Sequence, residues 1–576
     1  MAAILAVVGA YLGFRRPDDA ALGLVFLAPL LPGVSRLLGG EVPLLFFYAA
    51  PALGIALAVR RLRGEASSLP RGVLRWSLAF LVVAAVSALS SIVRGETLWR
   101  LVHERVAPHY VNDLWMTSSD RSRDAVFTFL VYVLLLTALD AFSRLAADPA
   151  RRARLLAAAS AGGAIALAAA LLEPIVPAAS GAEWWAAYQR FSGTFTDPNA
   201  LGIGAALLAI LALALLLEKA RAPRGAKVAA SLVLVLVLPV LQISGSRTGL
   251  LLLAMAGALT LAGLVRARAV SLRRLGLGVA AALFLAAAVW PRLPKRGNVA
   301  TGGLAARIAA TVRTGSLDAT ANTRFVFWRG ALDVILEEPL SGCGLGGFPY
   351  EFPVRFGRRR QPVDFTDNAT NALLDVGAEC GLPALALALA AVIPVLVRAV
   401  DAALTRQPIV VGSRLAGAAL IGFAIASMTG SHVRFPEVAS LLVLWPTRRP
   451  EEAFRAEPWI GLYRPEATGS GGLFRWMGPV ALRQVRPGES SLALRLRNER
   501  SDDLPVTLAV ELDGTPRRGL VLAKGREATV DLDALSPGQI VRFSAQPAFV
   551  PGRKANGRDD RALALMVLLP PETKAP

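Results

Sequence analysis

Apolar runs of about 20 residues, the length an α-helix needs to cross the hydrocarbon core of a bilayer, recur along most of this 576-residue chain and constrain its fold more than any other feature. They fall near 2–14, 21–38, 42–58, 74–93, 124–143, 154–176, 199–217, 226–243, 249–265, 274–291, 372–397 and 415–430, with a short one at 435–447. The count predicts an all-α polytopic membrane bundle of about 12 transmembrane helices. Composition agrees: 54% of residues are hydrophobic and only 18% charged, against about 25% charged in soluble domains. The first run, Met1 to Phe14, has no basic residue before it, so it reads as a membrane segment and not as a signal peptide.

A net charge of +20 would fit nucleic-acid binding only if the cations were gathered on a soluble face. Here they punctuate apolar runs, so no nucleic-acid partner is expected. Three histidines (His103, His109, His432) and two cysteines (Cys343, Cys380) are too few and too scattered for a metal site or a disulfide framework. Neither a metal nor a cofactor is expected, and the cysteines are expected to be free thiols.

Alternate loops carry Arg60, Arg61, Arg63 and Arg71; Arg144, Arg151, Arg152 and Arg154; Lys219, Arg221, Arg224 and Lys227; Arg266, Arg268, Arg273 and Arg274; and Arg398, Arg406 and Arg414. The positive-inside rule makes these loops cytoplasmic. The opposite face then receives 94–123, 177–198, the turn 244–248 and a long loop, 292–371. A connection of about 80 residues inside a bundle is usually functional. Within it, Leu304 to Val312 and Thr323 to Leu336 have helical periodicity. Past residue 448, short alternating runs separated by turn signals predict a small soluble β-sandwich over 450–576, beside a transmembrane domain over 1–447. If 435–447 spans, the β domain is cytoplasmic; if that segment is re-entrant, the domain lies outside.

Four polar stretches on the outer face stand out. In 188–199, Arg190 lies among aromatics at headgroup level, suited to an anion, while Asp197-Pro198-Asn199 is a helix-entry signal. Ser244-Gly245-Ser246-Arg247-Thr248-Gly249 places a lone guanidinium at a span boundary, which is costly unless it snorkels or finds a partner. Arg324, Trp328 and Arg329 precede Gly342-Cys343-Gly344-Leu345-Gly346, a glycine pattern that lacks the strand and βαβ context of a nucleotide loop. Last, Asp364, Asp367, Thr370 and Asn371 run into a span containing Asp375 and Glu379, where carboxylates serve function, capping or interhelical bonding.

In order and spacing these stretches resemble the O-antigen ligase and O-antigen polymerase superfamily. The matching pieces are Arg190…Gly193-Thr194-Phe195…Pro198-Asn199, Ser246-Arg247-Thr248-Gly249-Leu250-Leu251, Arg324…Trp328…Pro339-Leu340…Gly342-x-Gly344-x-Gly346…Phe348, and Asn371 with Gly381-Leu382-Pro383. They cover about residues 20 to 447. The resemblance implies a bacterial inner-membrane glycosyltransferase of lipopolysaccharide or polysaccharide biosynthesis. Its donor is an undecaprenyl-pyrophosphate-linked glycan, its acceptor a glycan, lipid A core or protein hydroxyl, and its reaction inverting and metal-independent.

It further implies that Arg190, Asn199, Arg247, Arg324 and Trp328 bind substrate, and that chemistry centres on Thr370 and Asn371. The family places a His where Thr370 stands, to activate the acceptor hydroxyl. Thr is no base near neutral pH, so the nearby carboxylate Asp367 is the expected substitute, ahead of Asp364. A lipid-linked glycan flippase and an inactive scaffold are the alternatives. A flippase would place its charges at the bilayer midplane, not at outer-face boundaries.

Overall fold

A computed structural model describes residues 1–38, 44–65, 67, 69–94, 120–146, 148–174, 190–217, 223–266, 319–357, 368–404, 411–441, 459–467, 473–485, 489–499, 504–536, 539–547 and 565–568. The chain divides into two compact units, Met1–Thr447 and Arg448–Pro576.

The first unit is helical: α1 Ala2–Arg15, α2 Pro17–Leu27, α3 Leu31–Leu37, α4 Leu44–Leu62, α5 Arg71–Arg94, α6 Arg121–Ala146, α7 Pro149–Leu172, α8 Pro198–Leu217, α9 Arg224–Ser244, α10 Arg247–Arg266, α11 Ala319–Glu337, α12 Phe348–Gly357, α13 Ala372–Leu404, α14 Val411–Ser427 and α15 Pro436–Leu441. Among the described residues, 8 helices are long and apolar enough to cross a membrane, or 9 if α2 and α3, bent by 63°, form one broken span. Helices α1 and α14 are apolar but shorter. The expected span at 274–291 and the helix at 304–312 lie outside the described residues. The segment 435–447 yields only the six-residue α15 within its described part.

Helix α8 is the centre of the unit, with 83% of its apolar window buried. It consists of small and aliphatic residues with no charge, so every face can pack against protein. Glycines set its closest contacts: a side chain at Gly249 of α10 would collide with the α8 backbone at Gly202, the kind of approach that small residues allow in lipid. Helix starts follow local chemistry. Asp148 accepts from Ala150 N and Arg151 N ahead of Pro149, and Ser246 Oγ accepts from Gly249 N at the head of α10.

Polar contacts sort the helix termini into two ends. At one, buried Arg60 pairs with Asp140 (3.3 Å), Arg144 with Asp18 (2.9 Å), and Arg414 donates to the carbonyls of Gly263 and Ala403. At the other gather Arg94, Arg121, residues 190–199, Ser244, the glycine loop, Asn371 and 428–437. This is the grouping of termini that the alternating arginine loops require.

Helix α13 is broken at Gly381 (φ 80°), and the glycine-rich stretch repairs the break. Cys343 N and Gly344 N donate to the carbonyls of Ala378 and Glu379, at 2.8 and 2.9 Å, and Leu382 N donates back to Pro339 O at 2.8 Å. Gly342, Gly344 and Gly346 all have positive φ, which this path requires. The glycines therefore serve as a clasp on a broken helix, and both cysteines are buried free thiols.

The second unit is antiparallel β: β1 Trp459–Ala467, β2 Leu473–Gln484, β3 Leu492–Arg497, β4 Val506–Leu512, β5 Thr515–Leu522, β6 Glu527–Leu532, β7 Ile540–Gln546 and β8 Leu565–Leu568. The strands form one hydrogen-bonded sheet in the order β5-β4-β7-β2-β8-β3-β6, with β1 on β2. The expected two-sheet sandwich takes another form because β2 is long enough to be shared: its end pairs with β7 and its beginning with β8. Both halves contribute to one core, including Leu496, Val530 and Val567 from one and Val510, Val541 and Phe543 from the other.

Candidate functional site

Residues 190–197 are fixed from several sides. Arg36 of α3 donates to Ser192 Oγ (2.8 Å) and to the Gly193 carbonyl. Glu173, just past α7, accepts from Gly193 N (2.5 Å), and Phe191 N donates to Ile243 O (3.2 Å). Asp197 accepts from Ala200 N at 2.7 Å and caps α8. Burial raises the Asp197 carboxyl above the usual range, opposed by the charge of Arg190 and by hydrogen bonds.

Arg190 joins the first two sequence stretches. Its Nε donates to Ser244 O (2.9 Å) and its Nη2 to Asn199 Oδ1 (2.8 Å). Gly245 (φ 63°) lies against this guanidinium, where a Cβ would be both strained and in contact with Arg190. Arg247, half-buried, opens α10 two residues further on. Thus Arg190 and Asn199 come together, with Asn199 acting on Arg190, and Arg247 follows the turn that Arg190 holds.

Arg324 and Trp328 lie one turn apart on α11, with Trp328 edge-on to Phe325. The Trp328 indole N–H is buried without a hydrogen-bond partner among the described residues. Asn371 caps α13, its Oδ1 accepting from Leu373 N (3.0 Å) and Leu374 N (3.2 Å), while its Nδ2 donates to Met428 O (3.1 Å). Its position is therefore that of a joint between two segments. Thr370 has a φ of 54°, a region costly for a β-branched residue, and its hydroxyl is buried without a described partner. Asp367 and Asp364 lie outside the described residues.

Sequence reasoning did not single out the segment that follows α14. Ser431 donates to Asp375 Oδ2, whose other oxygen accepts from Ala369 N at 2.6 Å. Arg434, almost fully buried, pairs with Glu379 and approaches Asp375 at 3.8 Å. Glu437 accepts from Thr196 N at 3.0 Å, linking this segment to the 190–197 loop. Burial raises its carboxyl, against the hydrogen bonds from Thr196. His432 is 4% exposed, and neither ring nitrogen has a hydrogen-bond partner among the described residues. Burial, reinforced by the nearby charge of Arg324, pushes the imidazole down to about 3, so it is held neutral. The signal available in the sequence was a run of His, Arg and Glu in a segment too short to span.

The two halves therefore meet across 428–437: Thr196 and Arg190 on one side, Arg324, Thr370 and Asn371 on the other. Among the described residues, no group of three His, Cys, Asp or Glu side chains is arranged to hold a metal ion.

Residues 232–389 match the family model described as O-Antigen ligase. The match supports the resemblance to the ligase and polymerase superfamily, and its range holds Arg247, Arg324, Trp328, Thr370 and Asn371. No curated protein matches the chain.

Proposed function

We infer, from the O-antigen ligase domain at 232–389, that this chain transfers a polyprenyl-pyrophosphate-linked glycan to an acceptor hydroxyl at the outer face of a bacterial inner membrane. What supports this reading beside that match is that Arg190 is bonded to the turn that leads into Arg247, while Arg324 is near enough for its charge to act on His432 in the buried polar segment 428–437. Two of the three lie inside the family match. Guanidinium groups bind phosphate oxygens through paired, charge-assisted hydrogen bonds. In the proposed reaction they stabilise charge on the pyrophosphate as its bond to the sugar C1 breaks, the kind of preorganised electrostatics that dominates many catalysed transfers. The acceptor oxygen attacks C1 from the opposite face, so the anomeric configuration inverts. The arginines supply the charge neutralisation, and the reading uses no metal. Trp328 offers an indole face and a buried N–H for the glycan. Asp367, the carboxylate the sequence offers as proton acceptor, enters on its spacing from Thr370 alone.

The test is the full-length protein in lipid nanodiscs with a fluorescent undecaprenyl-pyrophosphate oligosaccharide and candidate acceptors. Glycan appearing on an acceptor with release of undecaprenyl pyrophosphate supports transfer. Translocation of the donor in proteoliposomes without transfer would replace this reading with a flippase. For sidedness, a cysteine at exposed Ser341 is expected to react with an impermeant thiol reagent from the periplasm, and one at exposed Arg61 is not.

A further inference from the structure

The transfer reaction releases a proton from the acceptor hydroxyl, and the position where the family carries a His holds Thr370. The structure places an imidazole at the same joint from a different part of the chain. Asp375 fixes the arrangement with its two oxygens: one accepts from Ala369 N (2.6 Å), the residue before Thr370, and the other from Ser431 Oγ, the residue before His432. A second tie, Asn371 Nδ2 to Met428 O (3.1 Å), holds the same two segments together. Thr370 and His432 are thus each one residue from a group bound to a single carboxylate. Across from them, Arg324 is near enough for its charge to bear on the His432 ring.

The ring itself is confined. It lies against Gly430, where any side chain would collide with it, and stacks on Phe435 with centroids 6.3 Å apart. Its flanking charge is already committed, since Arg434 is paired with Glu379 and Asp375. A buried imidazole with neither nitrogen bonded is costly, because one nitrogen carries a proton in either neutral tautomer and both lose their hydration. Such a group in a native fold calls for an explanation. Thr370 Oγ1, on the segment tied to this one through Asp375, is also buried without a described partner.

We propose that His432 is the general base of the transfer, taking the acceptor hydroxyl proton on a ring nitrogen. The proposal rests on the transferase reading above. In the step, the acceptor O–H bond breaks, the acceptor oxygen bonds to the sugar C1, and the C1–oxygen bond to pyrophosphate breaks with its electron pair leaving on the pyrophosphate. The proton resides on the imidazole and passes afterwards to solvent or to the leaving pyrophosphate. Burial is the main cause that disfavours imidazolium, and a pyrophosphate on Arg324 offsets only the smaller contribution of that charge.

His432→Gln, which keeps the volume and polarity but not the basicity, is expected to lower kcat by about 10²–10⁴-fold with the donor KM within about threefold of wild type. His432→Ala is expected to be equally slow and to recover part of its rate in imidazole buffer, which an unfolded variant would not do. A His432→Gln rate within about threefold of wild type, or Asp367→Asn as the slow variant in its place, overturns the assignment and leaves the transferase reading standing. Wild-type protein without turnover on any lipid-linked donor overturns both.

Discussion

Two short segments close the same end of the helical unit and are built by opposite rules. In 190–199 the polar groups are spoken for: Arg190 holds Ser244 and Asn199, Ser192 is held by Arg36, and Asp197 caps α8. In 428–437 they are buried and only partly satisfied, with His432 unbonded on both nitrogens and Glu437 on one oxygen among the described residues. The contrast separates rigidity from reactivity. A segment whose hydrogen bonds are complete sets positions, whereas one that retains desolvated capacity is available to a ligand, at a cost in stability that the surrounding fold must cover.

The sharpest way to break the comparison is to remove the one strong partner in the second segment. Arg434→Ala leaves Glu379 and Asp375 buried without their cation, and is expected to destabilise the unit by about 3–5 kcal/mol, read as a loss of melting temperature in nanodiscs. A loss no larger than that of an exposed arginine would show that the segment is solvated and the contrast false. Next in size, Arg247→Ala and Arg324→Ala are each expected to cost about 10²–10³-fold in kcat, and a rate within about threefold of wild type in both would leave the phosphate-binding role without support. Arg190→Ala is expected to lower both kcat and melting temperature, because Arg190 also ties Ser244 to Asn199. An Arg190→Ala protein that melts like wild type would show that these two bonds do not hold the segment.

A smaller effect tests the backbone. Thr370→Gly relieves a positive φ and is expected to stabilise the fold by about 1 kcal/mol while reducing transfer, since strain at this joint is kept for position. Stabilisation with full activity would make the conformation incidental. The smallest effect concerns pH. Because burial raises the Glu437 carboxyl, the folded state holds its proton more tightly than the unfolded chain, so this group's contribution falls as pH rises above the ordinary Glu value of about 4.3. Glu437→Gln is expected to melt slightly higher than wild type at pH 7 and to lose that advantage near pH 4. The reverse order would mean that the carboxylate is favourably ionised.

The sequence by itself determined most of the described apolar helices and the β character after residue 448, though not the bend between α2 and α3 or the break at Gly381. Those features follow from local period, length and charge spacing, which neighbouring residues along the chain express directly. It also placed the caps: Asp-Pro-Asn is read as a helix entry and Asp197 performs that role. What only tertiary structure decided was partnership. The Gly-x-Gly-x-Gly stretch is a clasp because the carbonyls of Ala378 and Glu379, freed by the break at Gly381, lie beside it, a pairing across more than thirty residues that no local pattern encodes. Asn371 became a joint only once Met428 was beside it. His432 was one of three scattered histidines until Asp375 bound Ala369 and Ser431 together, because burial, charge and hydrogen-bond satisfaction are properties of a place in the fold and not of a position in the chain.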